Sequence, residues 1–338
     1  EKKNKIKKIC PECISSQKRP WYKERLYVTS LILFTFLIIS GFIPFLFPFL
    51  YAFLDYMKII WWAVLLGLVI GGIIDYFIPR EYIERYLGQT KKRSILYAVI
   101  FGFFMSACSH GILAIAIELY KKGARTSSVI AFLLSSPWAN LPLTILFFSF
   151  FGAKAIFIIL SAMLIAIITG LIYQILERKN MVETNPVGKK NKNFHIIKDM
   201  KKRFAKYDFD WKRDIKGIWN GIASLSKMVL WWILIGMTLA SLAAAYVPEG
   251  FMMKYMGATA LGMFIVLVVA TIIEVCSEGS APMAFEIFRQ TGAFGNSFVL
   301  LMAGVATDYT EIGLIWANIG KKAAIWLPII TVPQIFLL

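Results

Sequence analysis

Residues 155–175 read AIFIILSAMLIAIITGLIYQI, twenty-one positions without one charged side chain. A helix of that length rises about 31 Å, enough to cross a hydrocarbon core of about 30 Å. Its apolar residues cover every face rather than one stripe, as a lipid-facing or fully buried helix requires. Comparable runs occur at Leu31–Phe53, Ile59–Ile74 and Met228–Val247. Several such runs in one chain exclude a soluble fold. Helices are the expected spanning element because a helix satisfies its own backbone hydrogen bonds. The alternating pattern of an outer-membrane strand is absent from the sequence. The expected fold is an all-α integral membrane protein.

Composition agrees. The chain is 58% hydrophobic and 17% charged, whereas soluble domains stand nearer half and a quarter. The net charge of +17 collects in the tail before Trp21 and in the linker from Glu177 to Lys216. Basic segments beside spans are retained in the cytoplasm and touch anionic headgroups. No recognition fold is left over to bind nucleic acid with that charge. Nothing resembles a cleaved signal peptide, since the first apolar run is too long for one. Four cysteines in a membrane chain of this size do not make a disulfide framework. The expected organisation is a basic cytoplasmic tail (1–25), a first membrane set (26–176), a basic cytoplasmic linker (177–217) and a second set (218–338).

The two sets repeat one another. Trp61-Trp62 leads to Pro79 and Tyr86-Leu87-Gly88, and Trp231-Trp232 leads to Pro248 and Tyr255-Met256-Gly257. Cys108-Ser109-His110-Gly111 is answered by Cys276-Ser277-Glu278-Gly279, and Glu118 and Glu286 each follow their cysteine by ten residues. Ordered anchors at a nearly constant offset point to duplication. The basic clusters Lys91–Arg93, Lys121–Arg125, Arg178–Arg213 and Lys321–Lys322 fall on one side of a membrane only if Ser94–Tyr120 folds back as a hairpin. The same treatment of Ala258–Phe288 orients the second half oppositely. Two inverted-topology repeats with membrane hairpins or broken helices at Cys108 and Cys276 are therefore expected, a recurring transporter plan. Plain continuous spans through both cysteines are the alternative.

Both motifs place a thiol beside Ser and Gly in mid-membrane, with His110 or Glu278 two residues on and Glu274 two residues before Cys276. Ionisable groups at that depth face a cavity, a partner or a transport path. Thiolate and imidazole favour soft or borderline species such as Cu(I), Zn(II) or trivalent arsenic. A small free cysteine is equally at home as plain core packing. A second polar layer follows at Ser135-Ser136-Pro137-Trp138-Ala139-Asn140 and, in the second half, at Thr307-Asp308-Tyr309-Thr310-Glu311. Asp308 is suited to proton exchange or to neutralising a cation. Glu118, Glu286 and Glu311 are expected nearer the interface. The candidate substrate-binding set is Cys108, Ser109, His110, Asn140, Glu274, Cys276, Ser277, Glu278 and Asp308.

In the tail, Cys10-Pro11-Glu12-Cys13 is half of a zinc-knuckle pattern. Structural zinc takes four ligands, so Cys10 and Cys13 would need a second tail or a downstream acceptor. Phe194–Lys216 mixes aromatic and basic residues as an interfacial helix does. No phosphate-binding GxxxxGK[ST] occurs, and no cofactor is called for. The expected partners are a small solute or ion and the lipid bilayer, with a homo-oligomer open.

At CSHGILAIAIELYKKGA from Cys108, FLLSSPWANLP from Phe132, EVCSEGSAPMAFEIFRQTGAFGN from Glu274 and TDYTEIGLIW from Thr307, the chain resembles the predicted permease family of the DUF318 or YraQ type (UPF0718). That family includes organoarsenical efflux permeases, and the resemblance covers nearly everything after Leu26. It implies export through the cytoplasmic membrane. Where some branches carry Cys-Ser-Cys at the first motif, His110 replaces the second cysteine here, which removes a thiol that trivalent organoarsenical binding uses. Two functions are carried forward. One is a secondary permease for a small solute, a soft metal or metalloid species among the candidates, with proton coupling. The other is an intramembrane metal-dependent enzyme built on Cys108, His110, Glu274 and Glu278. Duplication favours the permease, and no HExxH or nucleophile elbow supports the enzyme.

Overall fold

The structure, a computed structural model, describes residues 24–77, 93–105, 109–121, 123–185, 211–274 and 277–338. Among the described residues the regular structure is helical, with no strand. The first half comprises α1 (Arg25–Ser40), a 3-10 turn (Pro44–Leu46), α2 (Phe47–Phe77), α3 (Arg93–Phe104), α4 (Ser109–Lys121), α5 (Thr126–Ala139), α6 (Leu141–Phe151) and α7 (Lys154–Arg178). The second comprises α8 (Trp211–Tyr246), α9 (Glu249–Met256), α10 (Ala260–Ile273), α11 (Ser277–Thr291), α12 (Phe294–Thr307), α13 (Tyr309–Asn318) and α14 (Lys321–Leu337).

Among the described residues, four stretches are long and apolar enough to cross a membrane, and six if the bent pairs α5–α6 and α9–α10 each count as one. Leu31, Phe34, Leu160, Leu261 and Ile272 point outward at 61–72% exposure. On a soluble protein that surface would aggregate; on this multi-pass membrane protein lipid covers it. The run Leu31–Phe53 is not one continuous span, however. α1 ends at Ser40, and Pro44 opens the turn into α2, because a proline inside the helix would remove a hydrogen bond and clash with the preceding turn. The expected interfacial stretch Phe194–Lys216 lies largely outside the described residues, and its last six positions are the first turns of α8.

α2 and α8 pack antiparallel at the centre. Tyr76 near the end of α2 donates to Asp214 near the start of α8 at 2.7 Å. A Cβ added to Gly221 would sit 2.8 Å from the Gly72 carbonyl oxygen, so the two backbones nearly touch, as small residues allow in membranes.

Hydrogen bonds fix how the shorter helices run. Ser94 at the start of α3 pairs with Ser128 at the start of α5 at 3.0 Å, and Met105 beyond the end of α3 accepts from Ser136 near the end of α5 at 3.2 Å. α3 and α5 are therefore parallel neighbours. α4 ends just before α5 begins, so α3 and α4 go in and come back out on one side. Each is too short to cross alone, at about 18–20 Å. The second half does the same. Asn296 at the start of α12 donates to Met256 and Gly257 just ahead of α10, and Thr271 near the end of α10 meets Thr307 at the end of α12 at 2.7 Å. α10 and α11 thus form a second hairpin.

The two hairpins open toward different ends of the molecule. At the first opening, Arg125 lies 3.8 Å from Glu177, and Glu183 accepts from the backbone N–H groups of Lys322 and Ala323. This end gathers Lys121, Arg125, Arg178 and Lys322, and is called the basic end below. At the second opening, Phe294 meets Phe157 and Lys154 at the start of α7, one membrane span away from Arg178.

Candidate functional site

Each half breaks a helix at the same relative place. Between α5 and α6 the backbone of Asn140 is extended, and its side-chain oxygen accepts from Leu143 N at 2.8 Å. Pro142 follows in the first turn of α6, a position where its missing N–H does no harm. The two helices bend by 40° and Asn140 is buried. Between α12 and α13 the counterpart is Asp308, whose carboxylate accepts from Thr310 N at 2.8 Å and Glu311 N at 3.1 Å. Asn and Asp are favoured at such caps because their oxygens satisfy otherwise unpaired helix N–H groups.

The hairpin tips reach these breaks. Glu274 closes α10 in the left-handed region, at φ 49°, where a non-glycine residue is uncommon and strained. That conformation turns its carboxylate onto Thr310, whose backbone N–H it accepts at 2.9 Å along with the hydroxyl. The same Thr310 hydroxyl lies 2.6 Å from Asp308, so its one proton is shared between the two carboxylates. Glu274 and Asp308 are thus linked through one threonine, across the gap between the hairpin and the broken helix.

Glu278 occupies the first turn of α11, where the helix dipole favours a carboxylate. It is buried and accepts from Ser277, itself buried, at 3.1 Å. Glu278 and Asn140 line one cavity of about 20 Å³, room for about one water. Its other walls are aliphatic: Val64 and Leu68 from α2, Leu143 and Leu146 from α6, and Leu225, Val229 and Ile233 from α8. Both halves contribute to it.

The candidate residues thus fall into two linked groups, Asn140 with Ser277 and Glu278, and Glu274 with Asp308. Cys108, Cys276 and the tail pair Cys10 and Cys13 lie outside the described residues; Ser109 and His110 open α4, and only their backbone is described. Among the described residues no group of three or more His, Cys, Asp or Glu is gathered to hold a metal ion.

Two carboxylates outside the candidate set, Glu311 and Glu286, are buried within the protein. Glu311 is 0% exposed in the first turn of α13. Its spacing from Asp308 is that of a capping box, a signal legible in the sequence. Glu286 is 1% exposed and receives Arg289 through two bonds, at 2.8 and 2.9 Å, and the hydroxyl of Tyr56 from α2. The Arg289 spacing is visible along a helix; the partner 230 residues away is not. Glu118 is exposed, as expected.

Helices broken around buried polar residues, beside a cavity lined from both halves of the chain, are the architecture of a multi-pass membrane permease. Residues 47–338 match the model of the predicted permease family ArsP_1, and the chain belongs to that family. It is 22% identical over 264 residues to the UPF0718 protein YcgR of Bacillus subtilis, covering 77% of this chain and 84% of the relative. A Streptococcus mutans protein provisionally named as a two-component membrane permease complex subunit is 24% identical over 235 residues, 68% of this chain and 73% of its own. The UPF0718 protein YraQ of Escherichia coli is 28% identical over 126 residues, 35% of this chain and 36% of its own. No solved structure matches the chain.

Proposed function

We propose that this chain is a secondary permease that moves a small solute across the cytoplasmic membrane by alternating access. Its two halves, in this reading, are inverted repeats that rock about a site at mid-membrane. The observation that carries the proposal is the shared cavity. Asn140 caps the broken helix of one half, Glu278 begins the returning hairpin arm of the other, and both line the same space. The hairpins opening toward different ends support the inversion, and the gathering of Lys121, Arg125, Arg178 and Lys322 supports a cytoplasmic basic end.

The aliphatic walls with one carboxylate and one amide suit a small solute that pairs an apolar body with a cationic or hydrogen-bonding group. Selectivity for a soft metal or metalloid species would rest on Cys108 and Cys276. Glu274 and Asp308, joined through Thr310, are placed to take up and return a proton as the halves move. Substrate-binding roles are assigned to Asn140, Glu278, Glu274, Asp308, Ser277 and the Cys108-Ser109-His110 and Cys276 motifs.

The test is flux into proteoliposomes, screened across soft metals, metalloids and oxyanions. Expected is uptake that follows the solute gradient without chemical change and falls at least tenfold in Asn140→Ala and Glu278→Gln. Chemical conversion of the solute, or full flux in both variants, overturns the reading.

A further inference from the structure

The cavity is walled in part by three helices that all continue toward the end opposite the basic one. Along α2 that direction leads from Val64 back to Tyr56, along α6 from Leu146 to Phe150, and along α11 from Glu278 to Glu286. Each step is four or eight residues, which keeps to the cavity-facing stripe of its helix and rises about 6–12 Å. What lies at that level is a plug. Phe150 stacks on Phe285 with ring centroids 4.9 Å apart, and Tyr56 stands edge-on to both. Behind the rings the Tyr56 hydroxyl donates to Glu286, joining the two halves across the seam. Arg289 holds Glu286 from the outside, with its own side chain 54% exposed while Glu286 is 1% exposed.

We propose that Tyr56, Glu286 and Arg289, with the Phe150–Phe285 pair, form the gate that closes the cavity toward the end opposite the basic clusters. A carboxylate is a suitable keystone. Its oxygens are satisfied by Tyr56, Arg289 and Gln290 while the gate is shut, and water can replace all three when α2 and α11 part. An apolar plug alone would have no comparable set of bonds to exchange. Glu118, which stands at the corresponding place after Cys108, is exposed, whereas Glu286 is buried.

The proposal rests on the permease reading for its purpose, and its test is chosen not to need a transported solute. Leu146→Cys places a thiol in the cavity wall. Its reaction with a membrane-impermeant thiol reagent, applied from the side of Lys154, is compared with that of the parent chain, which carries its own four cysteines. Expected is slow labelling with the gate intact, and labelling at least tenfold faster when Tyr56→Phe or Phe150→Ala is added. Tyr56→Phe deletes a single hydroxyl and leaves the ring packing in place, so folding is preserved. Unchanged labelling in both gate variants overturns the proposal. Fast labelling with the gate intact does so as well. In a second arm, Phe150→Cys with Phe285→Cys is cross-linked by a short reducible reagent. Labelling of Leu146→Cys through the faster Phe150-side path should then be lost, and return on reduction. Labelling indifferent to a complete cross-link counts against the gate. Loss of flux with normal gate labelling would instead indict the permease reading.

Discussion

Gly236 of α8 faces Gly279 of α11 so closely that a methyl group cannot fit between them. A Cβ built on Gly236 lies 1.9 Å from the Gly279 carbonyl oxygen, 2.6 Å from its carbonyl carbon and 2.7 Å from its Cα. All three are backbone atoms, so no side chain can swing away. To restore an ordinary C···O contact of about 3.3 Å, α8 and α11 must separate by on the order of 1.4 Å. Overpacking of that kind costs about 1–3 kcal/mol, against the roughly 0.5–1 kcal/mol that alanine gains over glycine within a helix. Gly236→Ala is therefore expected to be net destabilising by about 1–2 kcal/mol, and to shift Glu278, the residue before Gly279, relative to Asn140. Gly313→Ala in α13 is the control, because nothing lies within 4 Å of its added Cβ; there the helix gain stands alone. Thermal unfolding in detergent, followed by the monodisperse fraction, measures both. Equal stability of Gly236→Ala and Gly313→Ala would refute the close approach and the cavity geometry that depends on it.

Glu183 accepts from Lys322 N at 2.9 Å and Ala323 N at 3.0 Å, capping α14 where Gly320 offers no side chain. Burial pushes its pKa up, but the backbone hydrogen bonds outweigh that and hold the carboxyl below the usual glutamate range. Its stabilisation is thus complete above the usual glutamate range and fades as pH falls through the lowered value; Glu183→Gln should be less stable by about 0.3–1 kcal/mol at pH 7, and equal to the parent in strong acid. Cysteines at positions 121, 178 and 322 should react with an impermeant reagent only after cells are opened, and a cysteine at position 154 in intact cells; the reverse pattern would invert the assigned topology. Glu278→Gln and Glu274→Gln should reduce flux at least tenfold at equal membrane abundance, while Glu118→Gln, altering an exposed side chain, should leave it within twofold; parity of the three variants would remove the carboxylates from the transport path.

The membrane class was legible because it depends on composition and run length alone. The hairpins were legible indirectly, since Lys121–Arg125 and Lys321–Lys322 could share a side only if Ser94–Tyr120 turned back. Their geometry needed contacts between distant positions, such as Ser94 with Ser128, that no local pattern encodes. Asn140 and Asp308 announced themselves as polar residues interrupting apolar runs, although their role as helix caps became visible only with the backbone. Burial was read least well. The neighbours of Glu286 and Glu311 gave no sign that both side chains are covered by protein, because a helix end can be covered by other elements however polar its flanking sequence. The break at Gly41–Pro44 was hidden for a similar reason: hydrophobicity persists across it, and only the proline marks it.

The proposed duplication supplies a scaffold, but the chemistry placed on it is unequal. Counting by the spacing of Cys108 from Cys276, Asp308 stands where the first half has Asn140, Glu278 where it has His110, and Glu274 where it has Ser106. Every one of these exchanges adds a carboxylate to the second half. Two identical halves would present the solute with the same groups in both conformations and give a coupling proton no preferred partner. With the acids at these three sites in the second half only, the Glu274–Thr310–Asp308 link belongs to a single hairpin and a single broken helix. Moving that hairpin changes the surroundings of its carboxylates while the Asn140 side keeps its neutral cap. In the proposed cycle duplication supplies the two positions that rock, and the differences at three aligned sites decide which of them carries charge.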